Sequence, residues 1–381
     1  MGSFLDRSKF GWGVCIDDMW TYAGVLPPKS IIIPHFLSVR LPQGPSSMNF
    51  GKKKNPPGSG KARRRRLSTV SLVSLSEVQK TELTNLFTKN LARHLRRNRV
   101  KFVRCWFQWN LFQPRIYRRR WKQAYAFPLD NFVDTMNDHG IDIIAVIGNG
   151  YYRFLPSGIN VNNLNEYLPR LGEASREIVR HYKGRISMWQ LENEPDWWLE
   201  HFASDWRRGG IWFERDAVDS ILGELHGAVV EEDPGTPTMI NLEADTSAAF
   251  SRSYSRYCDV LGLDFYPNYT HSEPINVSKL KEKVLEAKSL SGKQIMITET
   301  GYPSGPRLFG FDQEKQVEYT RAICEEAHSI DSVGALGIWR LSDPYWLSFP
   351  FQENSFGLIN RQGLPKRAWF EYLEQVRKTT S

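Results

Sequence analysis

Cysteine is scarce in this chain. There are four in 381 residues, at positions 15, 105, 258 and 324, with no CxxC or similar spacing. That excludes a zinc finger and a disulfide scaffold, and makes buried free thiols the expectation. Long apolar runs are also missing. The longest, such as Ile143 to Gly148, are strand-sized, short of the roughly 18 apolar residues of a membrane span, so a soluble globular protein is expected. Met1 to Lys9 lacks the apolar stretch of a signal peptide, which leaves either an intracellular protein or one whose targeting segment is missing from this chain. A glycine-rich phosphate loop is absent as well. Gly11-Trp12-Gly13 lies inside the first predicted strand and opens no helix, which counts against a nucleotide-binding open sheet.

Acid is absent from one stretch only. Between Thr21 and Leu75, ten cations (Lys29, Arg40, Lys52, Lys53, Lys54, Lys61 and Arg63 to Arg66) meet no Asp or Glu, while the rest of the chain has 40 cations and 42 acids. The net charge of +8 therefore belongs to one segment. The same segment holds Pro27-Pro28, Pro56-Pro57 and Gly58-Ser59-Gly60. Residues 21–75 are expected to be a low-complexity basic insertion, largely disordered because Pro42 to Arg66 has little to bury. A domain tolerates such an insertion because closure costs rise slowly with loop length. Arg65-Arg66-Leu67-Ser68 fits a basophilic kinase site, and the run fits an acidic partner; an inert solvated loop is the plainer reading.

What is present is core material, 41% apolar and 13% aromatic residues, arranged in a repeating order. Apolar strand-sized runs are predicted at Gly11 to Ile16, Val100 to Trp109, Ile143 to Ile147, Arg185 to Leu191, Thr238 to Leu242, Val260 to Phe265, Gln294 to Thr298 and Ala335 to Trp339. Helical spacing is predicted between them, at Ser76 to Arg97, Leu129 to His139, Asn163 to Tyr182, Ala217 to Val230, Val277 to Leu290, Gln316 to Ser329 and Pro365 to Val376. Pro169 is a candidate break, and Ser253 to Tyr257 has room only for a helical turn. Strands separated by helices imply a parallel sheet, and eight units imply a closed (β/α)8 TIM barrel, one catalytic domain spanning residues 1–381.

The chemistry is expected where two strands stop. The fourth runs into Glu192-Asn193-Glu194-Pro195, and the seventh into Thr298-Glu299-Thr300-Gly301. C-terminal strand ends build the active face of a barrel, so Glu194 and Glu299 are expected to face each other across it. An acid ending a buried strand is costly unless it is paired, hydrogen-bonded or neutral, and two such acids suggest a carboxyl pair with divided roles.

These motifs resemble those of the clan A glycoside hydrolases, retaining (β/α)8 enzymes that include the family 5 cellulases and mannanases and the family 39 xylosidases. The resemblance covers about residues 9–20 and 76–378. Glu299-Thr-Gly-Tyr-Pro-Ser304 is similar to the nucleophile segment of families 17 and 53, Leu191-Glu-Asn-Glu-Pro195 to families 5 and 39. The resemblance implies Glu194 as acid/base, Glu299 as nucleophile, Arg104 and Tyr266 beside the nucleophile, and Trp339 as the floor of the sugar site.

The chemistry is consistent with the likeness. A glycosidic bond needs a proton donor and a nucleophile, and carboxyls roughly 5–5.5 Å apart give retention. Asn193 would bind the sugar 2-hydroxyl, and Arg104 and Tyr266 would keep Glu299 ionised, while Glu194, lacking such partners, would stay protonated near neutral pH. Among thirteen tryptophans, Trp197, Trp198 and Trp346 are the best candidates to stack sugar rings, and Asp343 to bind a hydroxyl. Glu192 and Asp264 read equally well as salt-bridged core positions. The expectation is a monomeric retaining β-glycoside hydrolase, acting on a β-linked polysaccharide in the manner of an endo-β-glucanase or mannanase. It needs no metal or cofactor, and no membrane or nucleic-acid partner is expected. An exo-acting β-glycosidase and an inactive carbohydrate-binding barrel are the alternatives. Nucleic-acid binding through Arg63 to Arg66 is a third, and predicts steep salt dependence.

Overall fold

The computed structural model describes residues 10–16, 77–114, 125–148, 155–160, 163–196, 199, 214–344 and 350–380. The predicted insertion at 21–75, with its candidate site at Ser68, lies outside the described residues, as do Trp197, Trp198 and Trp346.

Eight strands form a closed parallel barrel in sequence order. They are β1 (Gly11–Ile16), β2 (Phe102–Trp106), β3 (Asp142–Val146), β4 (Met188–Asn193), β5 (Thr238–Glu243), β6 (Val260–Phe265), β7 (Gln294–Thr300) and β8 (Val333–Ile338). β8 closes on β1, with Gly11 beside Ala335 and Val14 beside Ile338. A helix follows each strand: α1 (Glu77–Arg97), α2 (Asp130–Asp138), α3 (Leu164–Tyr182), α4 (Arg215–Glu232), α5 (Ser247–Tyr254), α6 (Lys279–Ser291), α7 (Gln313–Ser329) and α8 (Arg367–Thr380). The (β/α)8 expectation therefore holds.

Two elements differ from expectation. α3 continues through Pro169, losing one main-chain hydrogen bond. α5 is a full helix where only a turn was expected at 253–257. It buries Ser247, Phe250, Ser251 and Tyr254, a helical stripe whose two serines hide it from an apolar count. Ser251 donates to the Ser247 carbonyl at 2.7 Å, so its hydroxyl is bonded inside the helix.

Inside the barrel the layers differ in character. Phe102, Ile144, Met188, Met239, Val260, Met296 and Ala335, one from each of seven strands, form a separate apolar plug. Two residues further along β2, β4, β5 and β7, on the same faces, stand Arg104, Gln190, Asn241 and Thr298, each fully buried. Gly262 on β6 leaves room for this polar layer, since a Cβ there would lie 2.7 Å from Thr298 Oγ1 and 2.8 Å from Asn241 Cβ. The floor is apolar, and the face toward the C-terminal strand ends is polar.

Candidate active site

Irregular pairing aims the key side chains. β4 loses register with β5 between Gln190 and Asn193, so that Asn193 stands beside Asn241. With strict alternation Gln190 and Glu192 would share the interior face. The irregularity instead brings Asn193 inward, and the Glu192 carboxyl lies against Gly148, at the end of β3. β6 and β7 shift between Leu263 and Asp264, which sets Asp264 beside Glu299.

Arg104 organises what results. Its Nε donates to Gln190 Oε1 at 2.6 Å, its Nη1 to Glu299 Oε1 at 2.5 Å and its Nη2 to Asn193 Oδ1 at 2.5 Å. Burial is the largest single influence and works against its charge, but Glu299, Cys15 and Asp264 together outweigh it and hold the guanidinium above its usual range. Because arginine only donates, these bonds fix which end of each amide is oxygen. Gln190 must then offer its NH2 group, which donates to Asn241 Oδ1 at 2.6 Å. The same oxygen accepts the Glu194 main-chain N–H at 3.1 Å. Asn241 Nδ2 in turn donates to Asn193 Oδ1 at 2.8 Å and to Asp264 Oδ2. Asn193 Oδ1 thus accepts from two donors, and its NH2 group is left facing Glu194 Oε2, 3.2 Å away.

The two strand-end glutamates are both here. Glu299, 5% exposed, takes the Arg104 pair on Oε1 and the Tyr266 hydroxyl on Oε2 at 2.9 Å. Burial first, and then the Glu299 charge, push the Tyr266 phenol up, so it stays a neutral donor. Glu194 is half-buried as a residue, but its carboxyl faces other acids. Burial, then the charges of Asp264 and Glu299, raise it well above the ordinary carboxylate range. Its backbone is left-handed, with φ of 46°, a conformation costing a non-glycine residue on the order of 1 kcal/mol.

Trp339 follows β8, half-buried and edge-on to Trp106 at 5.8 Å, and the Arg104 guanidinium lies 4.9 Å over the Trp106 ring. The five residues Arg104, Asn193, Glu194, Tyr266 and Glu299 are therefore linked directly, with Trp339 beside them. Asp343 has other partners than the hydroxyl expected for it. Its Oδ1 accepts from Lys366 Nζ at 2.8 Å and from the Gly357 N–H at 2.9 Å, and both ion-pair partners are buried. Lys366 also reaches Ser304 Oγ and the Ser355 carbonyl, each at 2.9 Å, so this pair ties the segment after β7 to that after β8.

Glu192 and Asp264 are not the salt-bridged core positions considered for them. Among the described residues neither has an ion-pair partner, because the cation nearest the site, Arg104, is committed to Glu299. Glu192 is 1% exposed, and burial pushes its carboxyl up to about 8 despite a 3.1 Å bond from the Asn193 N–H. Asp196, also buried, is pushed up to about 7, with Thr246 Oγ1 bonded to it at 2.5 Å opposing the shift. Gln190, Asn241 and Thr298 were overlooked in the sequence. The available signal was a polar residue at an inward position of a largely apolar strand, two or three before the strand end.

No protein-family model matches this chain. Endo-1,4-beta-xylanase B of Thermotoga neapolitana is 27% identical over 228 residues, which are 56% of this chain and 63% of that protein, so the chain spans less than two thirds of this relative. A beta-1,4-xylanase of Dictyoglomus thermophilum is 22% identical over 295 residues, 70% of this chain and 79% of that one. Among solved structures, a GH5_18 variant from Streptomyces cattleya, in complex with Manb1-4GlcNAc, has a TM-score of 0.63 at 16% identity, with 77% of this chain and 75% of that chain covered. A GH10 endoxylanase from a sugarcane soil metagenome has a TM-score of 0.60 at 13% identity, covering 97% and 98%. The resemblance to the clan A barrels stands at the level of fold and of this similarity to xylanases, and only loosely for families 5 and 39.

Proposed function

We propose that the chain is a retaining β-glycoside hydrolase that cleaves a β-linked polysaccharide internally by double displacement. One observation carries the reading: Arg104 bonds Glu299 and Asn193 at once, and Asn193 reaches Glu194. In it, Glu299 attacks the anomeric carbon while Glu194 gives its proton to the leaving oxygen. Glu194 then takes a proton from the water that releases the glycosyl-enzyme. Arg104 and Tyr266 bond both Glu299 oxygens and hold them for attack. The Asn193 NH2 group, oriented by its two oxygen-side donors, is set to bind the sugar 2-hydroxyl, and Trp339 offers a ring face to the sugar. The relatives named as xylanases put xylan beside β-glucan and mannan as candidate substrates.

The test is a reducing-sugar screen of the purified protein against xylan, barley β-glucan, laminarin, glucomannan and galactan, with Glu299→Ala alongside. Release that disappears in the variant supports the reading and names the sugar. Release that persists in the variant removes Glu299 from the chemistry. Silence on every polymer, followed by turnover of aryl β-glycosides, replaces internal cleavage with exo action.

A further inference from the structure

One buried carboxyl next to Glu194 has no part in the double displacement. Asp264, on β6, is fully buried. Its Oδ1 accepts from Thr298 Oγ1 at 2.6 Å, and its Oδ2 from Asn241 Nδ2. Glu194 is one of the groups that act on its carboxyl. Asn241 ties the two together, because its oxygen holds the Glu194 main-chain N–H while its NH2 group holds Asp264. Two carboxylates joined through one asparagine, out of water and with no ion pair to either among the described residues, repel, and the pair is relieved by keeping one proton.

We propose that Asp264 is a positioning residue of the acid site: it and Glu194 hold one proton between them, and Asn241 keeps the two carboxyls aligned. This rests on the glycosidase reading for its catalytic consequence, though not for the pairing itself. With Asp264 as the internal base, Glu194 keeps its proton to higher pH than Glu299 alone would allow, and it presents that proton to the leaving oxygen. The groups acting on Glu194 are Asp264 from β6, Glu299 from β7, Asp196 from just beyond β4 and Glu243 from the end of β5. Tyr266 and Tyr269 feel its charge from the β6 loop. Those acting on Asp264 are Glu299, Arg104 and Glu194. Burial, the largest influence on both, and the added negative charge raise both carboxyls well above their ordinary range.

Two variants with opposite expected signs test the proposal. Asp264→Asn removes the neighbouring charge, so Glu194 should lose its proton about one pH unit or more lower. Thr298→Val removes a bond that favours ionised Asp264, so full deprotonation of the pair should need higher pH. Carbon-13 NMR titration of the side-chain carboxyls in the full chain, with Glu194 assigned by Glu194→Gln, reads both shifts without needing a substrate. In enzyme that hydrolyses an aryl glycoside, the basic limb of kcat/KM should move with the NMR midpoint in each variant. A Glu194 midpoint unmoved in Asp264→Asn, or shifts of the same sign in both variants, would overturn the pairing. Shifts of opposite sign in a protein that hydrolyses no glycoside would support the pair and sink the glycosidase reading instead. If Asp264→Asn fails to fold, the Thr298→Val titration decides alone, an unmoved or lowered midpoint counting against the pair.

Discussion

Glu299 and Glu194 are the same residue type at the ends of two strands, and they meet opposite company. Glu299 has a guanidinium on one oxygen and a phenol hydroxyl on the other. Glu194 has an amide NH2 at 3.2 Å and otherwise acids: Asp264, Glu299, Asp196 and Glu243. Burial first, and then the acids gathered around it, favour the neutral form of Glu194, whereas the oxygens of Glu299 are both held by donors. The lesson is that the proposed division between nucleophile and proton donor follows from neighbours on β2, β5 and β6, of which Arg104 bonds both Glu299 and Asn193, while Asn241 bonds the Glu194 main chain and Asp264.

Removing each side of that contrast should have effects of different size and kind. Glu299→Ala should lower turnover of the polysaccharide on the order of 10⁴-fold or more, since it removes the proposed nucleophile. Glu194→Ala should lower it about 10²–10⁴-fold, but far less on aryl glycosides whose leaving group needs no proton. Azide added to that variant should speed turnover of the activated substrate, and a rate indifferent to both leaving group and azide would break the assignment. In the parent, the basic limb of activity should lie above the ordinary carboxylate range, following the raised Glu194. Arg104→Met takes the donors away from Glu299, Asn193 and Gln190 together. It leaves a buried carboxylate unpaired, and should cost about 3–5 kcal/mol in a urea melt.

Glu192, two residues from Glu194, sharpens the contrast as a carboxyl off the reaction path. Its folded value of about 8 exceeds the roughly 4.3 of an unfolded chain, so the folded state binds the proton more tightly between those limits. Its contribution to stability is complete below about pH 4 and fades as pH rises toward 8. Glu192→Gln should flatten that decline by up to a few kcal/mol, with little change in turnover. Urea midpoints at pH 5 and pH 8 in both proteins measure it, and an unchanged slope counts against a neutral Glu192 in the parent.

Much of this was legible in the sequence because it depends on period and place. Eight alternating units were enough for the barrel, and Asn193, Glu194 and Glu299 are found by being where strands stop. The rest depends on geometry that period two does not carry. Reading β4 by alternation puts Glu192 and Asn193 on the wrong faces, and only the register shift corrects it. Asn241 lies in a six-residue strand with no motif around it, so its four hydrogen bonds follow from what β4 and β6 bring alongside. Asp343 and Lys366 are 23 residues apart, and their pairing is a contact between chain segments that no local pattern announces.

The slip of register in β4 also bears on how such a chain can drift over generations. Loops on a barrel gain and lose residues freely, because their ends stay put while their middles change. A single deletion between Gln190 and Asn193 has no such freedom, as it would move the Glu194 backbone N–H off Asn241 and exchange the faces of the residues before it. Gene-length variation in this chain should therefore spare that tetrapeptide even where the connections on either side grow or shrink.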